Sequence, residues 1–178
     1  MDRDDPVLQA LRRYIRAELD GHKFYVTAAE RTTDARGQEM FTSLASDEID
    51  HAKKLATEYE HVLKTGNWLS LQQVSSMDST VDLTQASVFA EGQTSIIPQI
   101  GPDTTDLDAL RLGIEMEKAS YEAYAEAASQ TPSQAARGVF EFLMNEEQRH
   151  LDLLRNSYDY LARTDSWFEE LEKPIYEG

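Results

Sequence analysis

Asp47-Glu48-Ile49-Asp50-His51 has an echo later in the chain, Glu146-Glu147-Gln148-Arg149-His150. In both, a glutamate precedes a histidine by three positions. On an α-helix that spacing stacks the two side chains on one face, about one turn apart. A carboxylate and an imidazole so placed can grip one cation from one helix. A third Glu-x-x-His, Glu58 to His61, serves as an internal control in so acidic a chain. It starts ten residues after Glu48 and so points roughly 80° away around the helix.

A repeat separates the first two motifs from the third. The two halves of the chain align without a gap at a constant offset of 99, the distance from Glu48 to Glu147. Leu8-Gln9-Ala10-Leu11-Arg12 falls on Leu107-Asp108-Ala109-Leu110-Arg111, Glu18 on Glu117, and Tyr25 on Tyr124. Phe41 falls on Phe140, His51 on His150, and Trp68 on Trp167. Glu58 and His61 fall on Ser157 and Tyr160, so the control motif is not repeated. The period is far too long for a solenoid. It predicts two helical hairpins packed about a pseudo-twofold axis.

The 178 residues suffice for one domain with a substantial core. With no cysteine, the chain has no disulfide, zinc–thiolate site, iron–sulfur cluster or rubredoxin-type iron site. No apolar run is long enough to span a bilayer, and Met1-Asp2-Arg3-Asp4-Asp5 does not read as a signal peptide. These features predict a cytoplasmic protein. A net charge of −16 argues against nucleic acid and anionic membranes as partners, and for the bulk of the surface it means solubility.

The first helix is predicted to begin at Asp5-Pro6, an N-cap followed by proline, and to run to about Arg31 on a stripe of Leu8, Leu11, Ile15 and Leu19. Glu18 lies on this stripe. Taken alone it reads as a boundary glutamate, and the repeat is what promotes it. The second helix spans about 35–64, stopped by Gly66-Asn67. Residues 66–104 turn to Ser, Thr, Gln, Gly and Pro, with a short helix conceivable over 84–91. A third helix begins near Thr104-Thr105-Asp106 and runs to about Gln130. Thr131-Pro132 is predicted to start a fourth, to about Arg163. Each hairpin alone is too small for its own core. The segment 66–104 therefore reads as a crossover inside one bundle, the topology of ferritin-like folds. The prediction is an all-α, ferritin-like four-helix bundle forming one domain over 1–178. Its parts are hairpins 6–65 and 105–163, the crossover 66–104, and a tail 164–178. The tail holds the exposed-looking Trp167 and Phe168 and would dock on the bundle or on a neighbouring subunit.

Six residues converge in this arrangement: Glu18, Glu48, His51, Glu117, Glu147 and His150. Glu115 is a rival for Glu117, but the repeat and the seven-residue step to Tyr124 select Glu117. Two imidazoles and four carboxylates suit iron(II), manganese(II) or zinc(II). Four negative charges offset two divalent cations, so two ions fit better than one. Glu48 and Glu147 would bridge them, and each ion would add one histidine and one terminal glutamate. Tyr25 and Tyr124 are the candidate catalytic tyrosines: they would hydrogen-bond the ligand carboxylates, or else simply pack. His22 and His61 read as surface or packing residues.

Used together, these residues make the chain resemble the rubrerythrin branch of the ferritin-like superfamily. The carrying residues are Glu18 with Tyr25, Glu48-Ile49-Asp50-His51, Glu117 with Tyr124, and Glu147-Gln148-Arg149-His150, with support from Trp167-Phe168 and Glu172-Lys173-Pro174. The resemblance implies a non-haem centre of two iron ions that reacts with hydrogen peroxide or dioxygen, commonly in a homodimer. Two departures stand out. Rubrerythrins proper carry a cysteine-bound iron domain as electron relay; here the reductant would be a separate donor, rubredoxin-like or otherwise. They also place a further glutamate one turn after the third-helix ligand, where this chain has Ser120, mirrored by Gly21. The expected function is reduction of peroxide or dioxygen to water. The alternatives are a ferroxidase or iron-sequestering protein, and a structural or regulatory bundle with zinc or nothing in its site.

Overall fold

Each predicted helix of the first hairpin starts and stops where its capping residues dictate. In the computed structural model, which describes residues 5–77, 83, 100–101, 103–164 and 167, α1 spans Pro6–Arg31 and α2 spans Ala35–Thr65. The Asp5 carboxylate accepts the Val7 amide at 2.9 Å, and Asp34 does the same for Arg36 at 2.9 Å. Both satisfy amides that the first helical turn leaves without carbonyl partners. Gly66 ends α2 in the left-handed conformation, φ 74°, which a side chain would strain.

A helix not anticipated from the sequence follows: α3, Leu71–Ser76, inside the crossover. Ser70 and Gln73 form a reciprocal capping box, and Val74 is buried against the bundle. The helix conceived over 84–91 lies outside the described residues. A second capping box, Thr105 with Asp108, opens α4, Asp106–Gln130. The last helix among the described residues, α5, spans Gln134–Thr164 and starts later than Thr131-Pro132 predicted. Thr131 is instead the C-cap of α4, its amide bonded to the Ala127 carbonyl at 3.0 Å. Ser133 supplies the cap, its hydroxyl accepting the Ala136 amide at 3.2 Å.

Cross-hairpin contacts fix the directions. Thr32, at the end of α1, hydrogen-bonds Asp106, at the start of α4, so those helices are antiparallel. Asp47 meets His150, and Met40 meets Ser157, so α2 and α5 are antiparallel too. It follows that α2 and α4 run parallel, and the chain between them must return the length of α2, about 46 Å at 1.5 Å per residue. The architecture is all-helical, a ferritin-like bundle with one crossover. Among the described residues no helix is long and apolar enough to cross a membrane.

The core has two apolar halves. One gathers Leu8, Leu11, Ile15, Leu55 and Tyr59 with Tyr124, Phe140 and Leu143. The other gathers Phe24, Tyr25, Phe41 and Leu44 with Leu110, Leu154 and Trp167. The repeat also explains the tryptophans. Trp68, after α2, lies edge-on to Phe140 of α5 at 5.4 Å, and Trp167, after α5, lies edge-on to Phe41 of α2 at 5.9 Å. Trp167 is therefore buried rather than exposed, and its indole donates to Asp106 at 3.0 Å. Phe168 and the rest of the tail lie outside the described residues.

Candidate metal centre

Between the two apolar halves sits a band of buried polar side chains. Glu18 comes from α1, Glu48 and His51 from α2, Glu117 from α4, and Glu147 and His150 from α5, and none is more than 5% exposed. All six residues singled out by the repeat meet here. Two overlapping sets form. Glu18, His51, Glu48 and Glu147 can bring one ligand atom each within 4.8 Å of one another, and so can Glu117, His150, Glu48 and Glu147. Glu48 and Glu147 belong to both sets.

The hydrogen-bonding of the cluster is incomplete on its inner side. Glu18 Oε2, Glu48 Oε1, both Glu147 oxygens, His51 Nδ1 and His150 Nδ1 are buried without a hydrogen-bond partner. The two imidazole nitrogens stand 3.4–3.7 Å from those oxygens, too far for good hydrogen bonds. Leaving several buried ionisable atoms unpaired costs several kcal/mol per ion, roughly, even after relaxation. Cations would resolve that cost by taking these lone pairs. The donor set, nitrogen and carboxylate oxygen without sulfur, fits borderline divalent ions.

On the outer side, hydrogen bonds come from the opposite hairpin. Tyr25 of α1 donates its hydroxyl to Glu117 Oε1 of α4, and Tyr124 of α4 donates to Glu18 Oε1 of α1. His150 Nε2 donates to Asp47 Oδ2 at 3.3 Å, and His51 Nε2 lies 4.0 Å from Glu146 Oε2. Arg149 in turn pairs with Glu146. Asp47 and Glu146 are functional candidates that sequence reasoning passed over. They are repeat partners at the same offset of 99, each just ahead of a ligand glutamate. An acid holding the far nitrogen fixes the imidazole with its other nitrogen facing inward.

The electrostatics follow from burial and crowding. Burial first, then the neighbouring carboxylates, pushes Glu48 and Glu147 well above the ordinary carboxyl range. Burial raises Glu18 and Glu117 too, but the pull of neighbouring groups outweighs it and leaves both lowered, with His51 foremost for Glu18 and Glu147 and His150 for Glu117. Burial and the adjacent carboxylates raise both tyrosines well above their usual value, so they stay protonated donors. Burial opposes the charge on His150, yet Asp47, Glu117, Glu147 and Glu48 together push its pKa well up. A divalent ion bound here would compete with the proton for the inner nitrogen of His150.

His22, His61, Glu58 and Glu115 are not part of the cluster. His22 donates Nδ1 to the Ala45 carbonyl at 2.7 Å, a packing role, and Glu115 is exposed. His61 is half-buried, and Glu58 turns to the end of α2, where it accepts the Leu69 amide at 3.1 Å.

The family model described as Rubrerythrin matches residues 9–158. No curated protein matches. Among solved structures, a hypothetical protein from Pyrococcus furiosus is similar, with a TM-score of 0.64 and 19% identity over 92% of this chain and 94% of that one. At that identity the likeness speaks for the fold alone.

Proposed function

The chain belongs to the rubrerythrin family, and from that premise we propose that its buried cluster holds two iron ions and reduces hydrogen peroxide to water with electrons from a separate donor. The observation that carries the reading is the set of inward-facing, unpartnered atoms on Glu18, Glu48, His51, Glu147 and His150. Glu18 and His51 would hold one ion, Glu117 and His150 the other, and Glu48 and Glu147 both. When bound, the two ions supply Lewis acidity and the two electrons that cleavage of a peroxide bond consumes.

The chain's own residues prepare the site. Four carboxylates match the charge of two divalent cations, so the loaded site is close to neutral. Tyr25 and Tyr124 keep their protons and hold the outer oxygens of Glu117 and Glu18, which orients the inner oxygens inward. Asp47 orients the His150 imidazole from behind, and Glu146 lies at the corresponding place behind His51. The apolar halves on either side restrict water to what the site admits. These 178 residues hold no cysteine and so no cysteine-bound iron relay, which fits the proposed separate electron donor.

The test is stopped-flow oxidation of anaerobically iron-loaded protein at equal concentrations of peroxide and dioxygen, followed by steady-state assay with reductant. Peroxide should react faster, and the protein should turn over repeatedly. If dioxygen reacts as fast or faster, a ferroxidase reading replaces this one. If the protein takes up iron and stops, it sequesters iron.

A further inference from the structure

Gly21 sits in the interior of α1, one turn after Glu18, and is buried. Glycine is a poor choice inside a helix, because it gives up more backbone freedom than alanine on ordering. The surroundings explain its presence. A Cβ built on Gly21 would lie 2.8 Å from Glu48 Oε2 and 3.3 Å from Glu48 Cδ. The Glu48 carboxylate thus lies against the bare backbone of α1, in space that any side chain would take.

The repeat makes this a difference between the two halves of the site. The mirror of Gly21 is Ser120, which carries a Cβ, and the mirror of Glu48 is Glu147. The two shared carboxylates are correspondingly placed unlike each other. Glu147 spans both imidazoles, Oε1 at 3.4 Å from His51 Nδ1 and Oε2 at 3.7 Å from His150 Nδ1. Glu48 offers Oε1 to His150 Nδ1 at 3.4 Å and tucks Oε2 over Gly21.

Resting on the two-ion reading above, we propose that Gly21 is a positioning residue: its missing side chain holds the Glu48 carboxylate toward the His150 half of the site and makes the two metal positions inequivalent. The position of Glu117 and His150 has the fuller claim on Glu48. The position of Glu18 and His51 relies on Glu147 as its closely held shared carboxylate. The ions therefore bind in two distinguishable steps. The three atoms nearest a Cβ at position 21 all belong to the flexible Glu48 side chain, and the closest is its carboxylate oxygen, so the carboxylate moves and the helix does not.

Cobalt(II) titration of metal-free protein, followed by its visible absorption, tests this without any turnover assay. The wild type should take up two ions in two resolved steps with different spectra. Gly21→Ala should keep its helical circular dichroism and thermal stability, yet shift the affinity of at least one step tenfold or more and alter the spectrum. Ser120→Ala, which adds no new Cβ, should titrate like the wild type. Identical titration of Gly21→Ala and wild type overturns the proposal. So does loss of helical content or stability in Gly21→Ala, because the glycine then serves packing. Equal effects of the two variants overturn it as well. Failure of the wild type to bind two cobalt ions would instead count against the two-ion reading itself.

Discussion

His51 and His61 stand ten residues apart on one helix, and each follows a glutamate by three. Only His51 is buried in the central cluster; His61 is half-buried at the end of α2. His51→Ala and His150→Ala should each weaken iron binding by more than the roughly 10–100-fold that loss of an outer hydrogen-bond partner costs. His61→Ala should leave metal content unchanged. Elemental analysis of the three purified variants decides the matter, and equal losses in all three would mean the repeat selects the wrong histidines. At this scale the sequence is readable where the repeat speaks, because paired positions in both halves are hard to produce by chance. Asp47 and Glu146 are repeat partners too, but an aspartate matched with a glutamate in so acidic a chain does not single itself out. Their partners belong to the other hairpin, and only the antiparallel packing of α2 on α5 brings them together.

Among the elements, the helices of the hairpins could be placed from caps and periodicity, while the start of α5 and the existence of α3 could not. Thr131-Pro132 reads as a helix start, but the Thr131 amide is already spent closing α4, and Ser133 caps α5 instead. The six residues of α3 show too short a pattern for periodicity to register. Their docking depends in part on Glu58, whose carboxylate accepts the Leu69 amide just ahead of α3. Burial pushes the Glu58 carboxyl up to about 7, with the Leu69 amide pulling the other way. A carboxyl raised in the folded state binds more protons there than in the unfolded chain. Its contribution therefore declines as pH rises from the ordinary carboxyl range through about 7. Glu58→Gln should remove that decline. Melts of metal-free protein should show the variant gaining on the wild type between pH 5 and 8, roughly the window that linkage assigns to this shift. Parallel melting curves across that range would contradict the assignment.

The whole molecule is organised by its repeat. Two hairpins pack so that the hydrogen bonds of the centre cross between them: Tyr25 to Glu117, Tyr124 to Glu18, Asp47 to His150. The crossover follows from the same arrangement, because parallel α2 and α4 cannot be joined by a short loop. Its need was legible from the length of 66–104, though its path was not, since polar residues without a period carry little positional information. The symmetry is broken where it matters to the site, at Gly21 against Ser120; the difference stands in the sequence, but its consequence shows only when Glu48 is seen lying on the glycine. The most direct test of the account is anaerobic ferrous titration of metal-free protein with elemental analysis after desalting. The account predicts two iron ions per chain, as the shared carboxylates Glu48 and Glu147 require. A single tight ion per chain, or none, would contradict it.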